Sequence, residues 1–238
     1  MKGRLVIALL LLPFPSFIKV ALYRLMPGYR IGRGVRIGFS LLAAGRCEIG
    51  AHTRIGHFNL LYRTRVLRLG EHVRIGHFNI LLGGNEISMG EGAVIGRFNE
   101  INSILDPLSQ TQCDPRLIIG SRVIITAEHK IDFCDRVKFG ENAALGGRNS
   151  NIWTHNRQEN APVTIGRNCY IGANVQFVPG SSVGEYCVVG LGSVITKKLA
   201  GDWSLITGMP GRIKKTLDED SRHLVTHPTR PDLEEKAS

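Results

Sequence analysis

Aliphatic residues followed by glycine recur along the chain in steps of six. They stand at Ile31 and Ile37, Ile49 and Ile55, Leu69 and Ile75, then at Ile95, Ile119, Ile165, Ile171, Val183 and Val189, with Met89, Phe139 and Leu145 as variants. The first step of each group falls at 31, 49, 69, 89, 119, 139, 165 and 183, so the increments are 18, 20, 20, 30, 20, 26 and 18. Eighteen is three sixes, one for each side of a triangular coil. A helical period of 3.6 does not fit this spacing. Short strands of about five residues, each ended by a turn, do. The pattern predicts an all-β chain wound as a parallel β-helix; an antiparallel sandwich would place turns every 8–12 residues or so, without a strict register.

The register accounts for polar residues that would otherwise suggest chemistry. Four residues after each aliphatic step comes a second inward position that favours small side chains. Cys169 and Cys187 fall there, 18 apart, and read as core fillers. Asn59, Asn79 and Asn99 share that column in the segments IGHFN, IGHFN and IGRFN, where stacked amides can bond to one another. Continued upward, the same count places His129 and then Asn149 in the column. His57 and His77 also stack, but Arg97 occupies the next layer, so no metal site is expected there. Arg36, Arg54 and Arg74 each precede an aliphatic step and form an outward basic stripe.

Two coils are oversized. The increment of 30 leaves a loop at 105–116, and the increment of 26 leaves one at 147–162. The second contains the polar run Asn149-Ser150-Asn151-Ile152-Trp153-Thr154-His155-Asn156. Loops on a rigid scaffold are where function concentrates. His155 is the histidine that the register leaves unexplained.

Before the repeat, residues 1–28 form a hydrophobic and basic segment. Leu5 to Ile18 is an uncharged run of 14 residues, short of the roughly 20 needed to span a bilayer. Pro13 and Pro15 interrupt it, and Ser16 is placed to cap a second short helix, Phe17 to Met26. Three readings stand: an interfacial anchor with basic residues at lipid phosphates, a hydrophobic cap on the open end of the scaffold or a partner subunit, and a signal peptide without a clear cleavage site. The first is favoured, which makes residues 1–27 a peripheral membrane contact. After the β-helix domain, 29–200, come a closing segment, 201–215, and a polar tail, 216–238, that reads as disordered.

Charge sharpens this division. The net charge is +10, and residues 1–75 hold thirteen Lys or Arg against Glu48 and Glu71, or 13 − 2 = +11. That asymmetry calls for an anionic partner: membrane, phosphorylated substrate or nucleic acid. Aromatic content of 7% and the lack of any nucleic-acid motif place nucleic acid last. Five cysteines without a CxxC pair argue against a disulfide framework and fit a reducing, cytoplasmic compartment, at the inner face of the membrane if the anchor reading holds.

The hexads, with Thr154-His155, the run PVTIGRNCYIGANVQFVPGSSVGEYCVVGLGSVITKKL and the closing GMPGRIKK, resemble the left-handed β-helix hexapeptide-repeat acyltransferases. The stretch Trp153 to Lys215 is most similar to the sugar O-acetyltransferase branch, including galactoside and maltose acetyltransferases. The resemblance implies acetyl-CoA as co-substrate, a homotrimer with sites in the clefts between subunits, and His155 as general base. It places pantetheine contacts at Ala173, Leu191 and Ser193, and CoA phosphates at Lys197 and Arg212, with Lys198 and Lys215 as further candidates. His129 stands near the family's substrate-binding asparagine. With Asp132 it could bind the acceptor or orient His155, or it could be a satisfied ladder member; Asn149 and Trp153 complete the candidate acceptor site.

The function expected is acetyl transfer to a hydroxyl of a surface glycan or its lipid-linked precursor, the lipid-linked part resting only on the N-terminal segment and the basic stripe. Two alternatives remain: N-acetylation of a nucleotide-linked amino sugar, and a non-catalytic scaffold. A zinc carbonic anhydrase of the same fold needs three histidines, two of them five residues apart, and five beyond His155 is Asn160.

Overall fold

The computed structural model describes residues 2–103 and 113–226. Among them, three parallel sheets of nine, ten and eight strands form the sides of a prism. Between the first and last coils, each strand hydrogen-bonds to the strand one coil earlier and one coil later, as in Ile31↔Ile49 and Ile55↔Ile75. This is the left-handed parallel β-helix expected from the hexads. Strands of two to four residues suffice, because each coil only has to present one or two inward side chains per side. Those inward residues fill a single aliphatic core; Ile95, Ile101, Leu145, Ile152, Ile171 and Phe177 have no exposed surface.

The inward polar column is a continuous hydrogen-bonded ladder. The Asn79 amide nitrogen donates to Asn59 Oδ1 at 3.0 Å, and the Asn99 amide nitrogen donates to Asn79 Oδ1 at 3.0 Å. Ser40 continues the ladder below, and the His129 backbone N–H donates to Asn99 Oδ1 above. A parallel stack makes this possible, since identical side chains repeat at the strand spacing of about 4.8 Å. Cys169 and Cys187 are buried as expected, in the corresponding column at another corner, between the first and second sheets.

The next rung departs from the count. It is Ser150, whose N–H donates to His129 Nδ1 at 3.2 Å, not Asn149. The side from Leu145 to Ile152 takes seven residues where Ile125 to Ile131 takes six. The additional residue is absorbed at the corner, where Asn149 adopts φ 59. Asn149 is exposed there, and asparagine tolerates that left-handed conformation.

The ends differ from the middle. At the first coil, α1 (Lys2–Leu11) and α2 (Ser16–Arg24) fold over the open core and bury Ala8, Leu11, Val20 and Tyr23. Ser16 does not cap its own helix; its Oγ accepts from the Ile37 N–H on the first coil's unpaired edge. Arg24 Nε donates to Ile31 O and Lys19 Nζ to Gly38 O, satisfying two more edge carbonyls. The cap reading is therefore correct for one face of the hairpin. No helix among the described residues is long and apolar enough to cross a membrane.

At the last coil, strand Ser204–Thr207 pairs in parallel with Val188–Val189 and antiparallel with Arg212–Thr216. The start of the tail is ordered, contrary to expectation. α3 (Glu219–Thr226) is capped by Asp218, which accepts from the Ser221 N–H, and Leu217 and Val225 are buried. Residues 105–112 of the first expected loop and 227–238 of the tail lie outside the described residues.

Candidate active site

The second loop is narrower than the spacing implied. Its eight surplus residues divide as one before Ser150 and seven between Ile152 and Ile165, so the excursion proper is 153–162. Strand Asn151–Ile152 still belongs to the third sheet, paired with Gln176–Phe177. The loop then closes on itself. His155 bridges Asn160 in antiparallel fashion, Asn156 Oδ1 accepts from the Gln158 and Glu159 N–H groups, and the Ala161 N–H donates to Thr154 O. A loop so tied holds its side chains in place instead of trailing in solvent.

His155 is oriented from below. Its Nδ1 lies 3.0 Å from Asp132 Oδ1, on the preceding coil. The Asp132 side chain is 4% exposed, whereas His155 is 37% exposed. Thr154 Oγ1 donates to the same carboxylate oxygen at 2.9 Å, and the Cys134 thiol donates to Oδ2 at 3.4 Å. A carboxylate oxygen that accepts from Nδ1 leaves Nε2, in the neutral ring, with its lone pair. The pairing with Asp132 thereby fixes the direction of the ring. Asp132, Cys134 and His155 offer ligand atoms within 4.8 Å of one another. Since the carboxylate oxygens already accept from Thr154, His155 and Cys134, we read the cluster as a hydrogen-bonded dyad with its supports.

Of the other expected residues, His129 is not in this group. It is 1% exposed, with Nδ1 accepting from Ser150 and Nε2 2.9 Å from Thr126 Oγ1. Both ring nitrogens are used, and burial pushes its pKa down to about 4. It is a neutral rung of the ladder and cannot meet an acceptor. Asn149 sits at the corner between the second and third sheets, at the far end of strand Asn151–Ile152 from His155. Trp153 precedes the dyad, its ring 5.4 Å beneath Lys130 Nζ.

Ala173 and the exposed Leu191 lie at the same second-to-third corner as Asn149, one and two coils higher. Ser193 is fully buried; its Oγ donates to Gly190 O and its carbonyl accepts from Gln176. Lys197 and Lys198 are exposed at the third-to-first corner, two coils above His155. Arg212 and Lys215 lie on the final strand, and Lys215 is paired with Asp218 at 3.0 Å. One chain thus places His155 and two lysines along one corner, and Ala173 and Leu191 along another.

In the sequence Thr154 stands out only as the neighbour of His155. It is the residue that ties the dyad to the scaffold, accepting from the Asp135 N–H while donating to Asp132. Its role shows only in its burial beside the half-exposed His155, which the sequence does not carry.

Residues 162–197 match the bacterial transferase hexapeptide (six repeats) family, and the fold carries the same repeat from the first coil to the last. A 62-residue stretch is 34% identical to the galactoside O-acetyltransferase of Escherichia coli K12, covering 26% of this chain and 30% of that enzyme. A 44-residue stretch is 50% identical to the dTDP-3-amino-3,6-dideoxy-alpha-D-galactopyranose 3-N-acetyltransferase of Aneurinibacillus thermoaerophilus, covering 18% and 22%. The matches thus span about a third or less of these relatives' lengths. In solved structures, the fold is that of the polysialic-acid-specific acetyltransferase NeuO, with TM-score 0.52, 17% identity, and coverage of 79% of this chain and 78% of that one.

Proposed function

We propose that this protein is an acetyl-CoA-dependent acetyltransferase that acts on a sugar hydroxyl of a surface glycan or its lipid-linked precursor, with His155 as general base. The observation that carries the reading is the Asp132–His155 pair, a buried carboxylate holding a half-exposed imidazole by Nδ1. A sugar hydroxyl is a poor nucleophile at neutral pH. A positioned imidazole that takes its proton contributes typically 10²–10⁴-fold. The hydroxyl oxygen attacks the thioester carbonyl, the oxyanion collapses, and CoA leaves as its thiolate, which regains a proton. Backbone N–H groups of the scaffold are suited to hold that oxyanion.

The positions of Ala173 and Leu191 bear on the assembly. They stand at a different corner from His155, so a complete site needs the second-to-third corner of a neighbouring copy against the third-to-first corner of this one. A homotrimer with sites in its clefts meets that requirement. Lys197, Lys198 and Arg212 are exposed cations suited to CoA phosphates. Lys215 is suited less, being paired with Asp218.

The test is transfer of labelled acetyl groups from acetyl-CoA to a panel of glycans, with His155→Ala as control. Full activity in that variant would remove His155 from the mechanism. The second reading, N-acetylation, is favoured by the 50% identity to an amino-sugar enzyme. Transfer to amino sugars that survives mild alkali, with none to hydroxyls, would establish it instead.

A further inference from the structure

At the corner between the second and third sheets, one residue of each coil from the second upward takes the left-handed conformation. In order these are Phe58, Phe78 and Phe98, then Glu128, Asn149, Asn174 and Gly192. The three phenylalanines are 63%, 47% and 51% exposed. Their rings stack, with centroids 4.9 and 5.0 Å apart. The outer face of the third sheet changes character at the same height. One outward column reads Leu60, Ile80, Glu100, Lys130 and Asn151. The other reads Tyr62, Leu82, Asn102 and Asp132. We infer that the phenylalanine ridge of one copy of this chain seats on the strip Leu60, Tyr62, Ile80 and Leu82 of a second copy. The lower coils then carry a subunit seam, and the upper coils carry the site.

The left-handed conformation favours glycine and asparagine and disfavours a bulky side chain. The upper coils follow that preference with Asn149, Asn174 and Gly192. Three successive phenylalanines run against it, and their rings lie at the surface, where the core gains little from them. Parallel rings only 5 Å or so apart overlap face on face. Phe78 is therefore covered on both faces by its neighbours, and the ridge turns ring edges outward. A sugar stacks on an aromatic face, so these edges suit an aliphatic surface better than a glycan.

The area fits a second protein copy. At about 200 Å² for a whole side chain, the three rings expose roughly 300 Å², the size at which an apolar patch marks an interaction surface. Matched by an equal area on the receiving copy, and with apolar atoms making up about 60% of an interface, this corresponds to roughly 1,000 Å² per seam. Specific interfaces begin at about that size.

Position agrees with area. The ridge continues upward along the same corner to Ala173 and Leu191, while Tyr62 and Leu82 share their column with Asp132, the partner of His155. A ridge seated on the strip of the next copy brings that corner alongside the coils that hold His155. Two unlike surfaces in contact repeat head to tail and close as a ring, as a trimer requires. This last support rests on the acetyl-transfer reading; the change from apolar to polar coils and the area do not.

The experiment reads the mass of the full chain by light scattering. Wild type should have three times the mass of one chain. Phe58→Asn/Phe78→Asn/Phe98→Asn gives the corner the residue it carries in higher coils, and Ile80→Lys/Leu82→Asn gives the strip the polarity of the coils above. Each variant alone should have the mass of one chain, with the wild-type circular dichroism spectrum. Mixed in equal amounts they should form pairs, because one retains the strip and the other the ridge. Phe78→Asn by itself, the smallest change, should weaken assembly on dilution by roughly tenfold or more. Wild type with the mass of one chain overturns the proposal; flotation of that monomer with phosphatidylcholine vesicles, lost in the triple variant, would assign the ridge to a membrane instead. Variants that remain trimers, variants that stay single when mixed, or an unchanged dissociation concentration for Phe78→Asn overturn it as well. If the seam behaves as expected in a protein that transfers no acetyl group, the assembly stands and only the acetyl-transfer reading falls.

Discussion

Replacing Asp132 with asparagine tests the dyad with minimal change in shape. The carboxylate accepts from Thr154 Oγ1 at 2.9 Å and from His155 Nδ1 at 3.0 Å through the same oxygen. The asparagine amide has one accepting oxygen and one donating nitrogen. If its nitrogen turns toward His155, the imidazole must shift its proton to Nε2 and can no longer act as base there. If its oxygen does, a charged hydrogen bond becomes a neutral one. A bond to a charged partner contributes about 1.5–3 kcal/mol, which corresponds to roughly 10- to 150-fold in rate, at about 1.4 kcal/mol per tenfold. The expected result is a fall in kcat of about 10² with KM changed by less than about threefold, since the Asp132 side chain is buried and acts through His155. The assay is CoA thiol release with an acceptor, followed by thermal melting to confirm the fold. His155→Ala/Asp132→Asn should be no slower than His155→Ala alone, because the carboxylate acts through the imidazole. An Asp132→Asn enzyme with more than half of wild-type kcat, or a double variant slower than the single by the full Asp132 factor, would refute the dyad.

Three further outcomes follow from the scaffold. Asn79→Ala removes a side chain that bonds to Asn59, Gly96 and Asn99, and strands the buried Asn99 N–H; a loss of about 3–5 kcal/mol is expected, read as a fall in melting temperature of roughly 10 °C. His129 is held neutral, with its pKa down to about 4 against 6.5 when unfolded, so the unfolded chain takes up its proton first and stability falls as pH drops from about 6.5 toward 4. The gap corresponds to at most about 3 kcal/mol, and His129→Asn should flatten that part of the melting-temperature profile. Deleting residues 1–27 uncovers Val35, Ile37 and Leu42 and orphans the Ile37 N–H, so the product should be insoluble or melt at least 10 °C or so lower; a soluble fragment of unchanged melting temperature would show that the hairpin is no cap.

The scaffold was legible because a coil has one dominant requirement, an aliphatic residue at each side, and the sequence repeats it. The asparagine ladder and the two cysteines were legible for the same reason. The register lost one step at Ser150, because an extra residue can hide in a left-handed corner without disturbing the strands on either side. The partnership of Asp132 and His155 was only one of several options in the sequence, as 23 residues separate them. What joins them is the position of one coil above the next, together with a threonine whose role depends on its burial. The order in the tail was missed because two apolar residues, Leu217 and Val225, suffice to pin a short helix when Trp203 already waits beneath Arg222.

A parallel stack of coils has no intrinsic reason to stop, since every coil offers the next the same row of donors and acceptors. Here both ends are made unlike the middle. Ser16, Lys19 and Arg24 occupy the edge groups of the first coil, and the last sheet turns back on itself in the antiparallel strand Arg212–Thr216. These two devices set the molecule's length. Without them the same prism would be a seed for an endless thread, one chain docking on another as each coil docks on its neighbour.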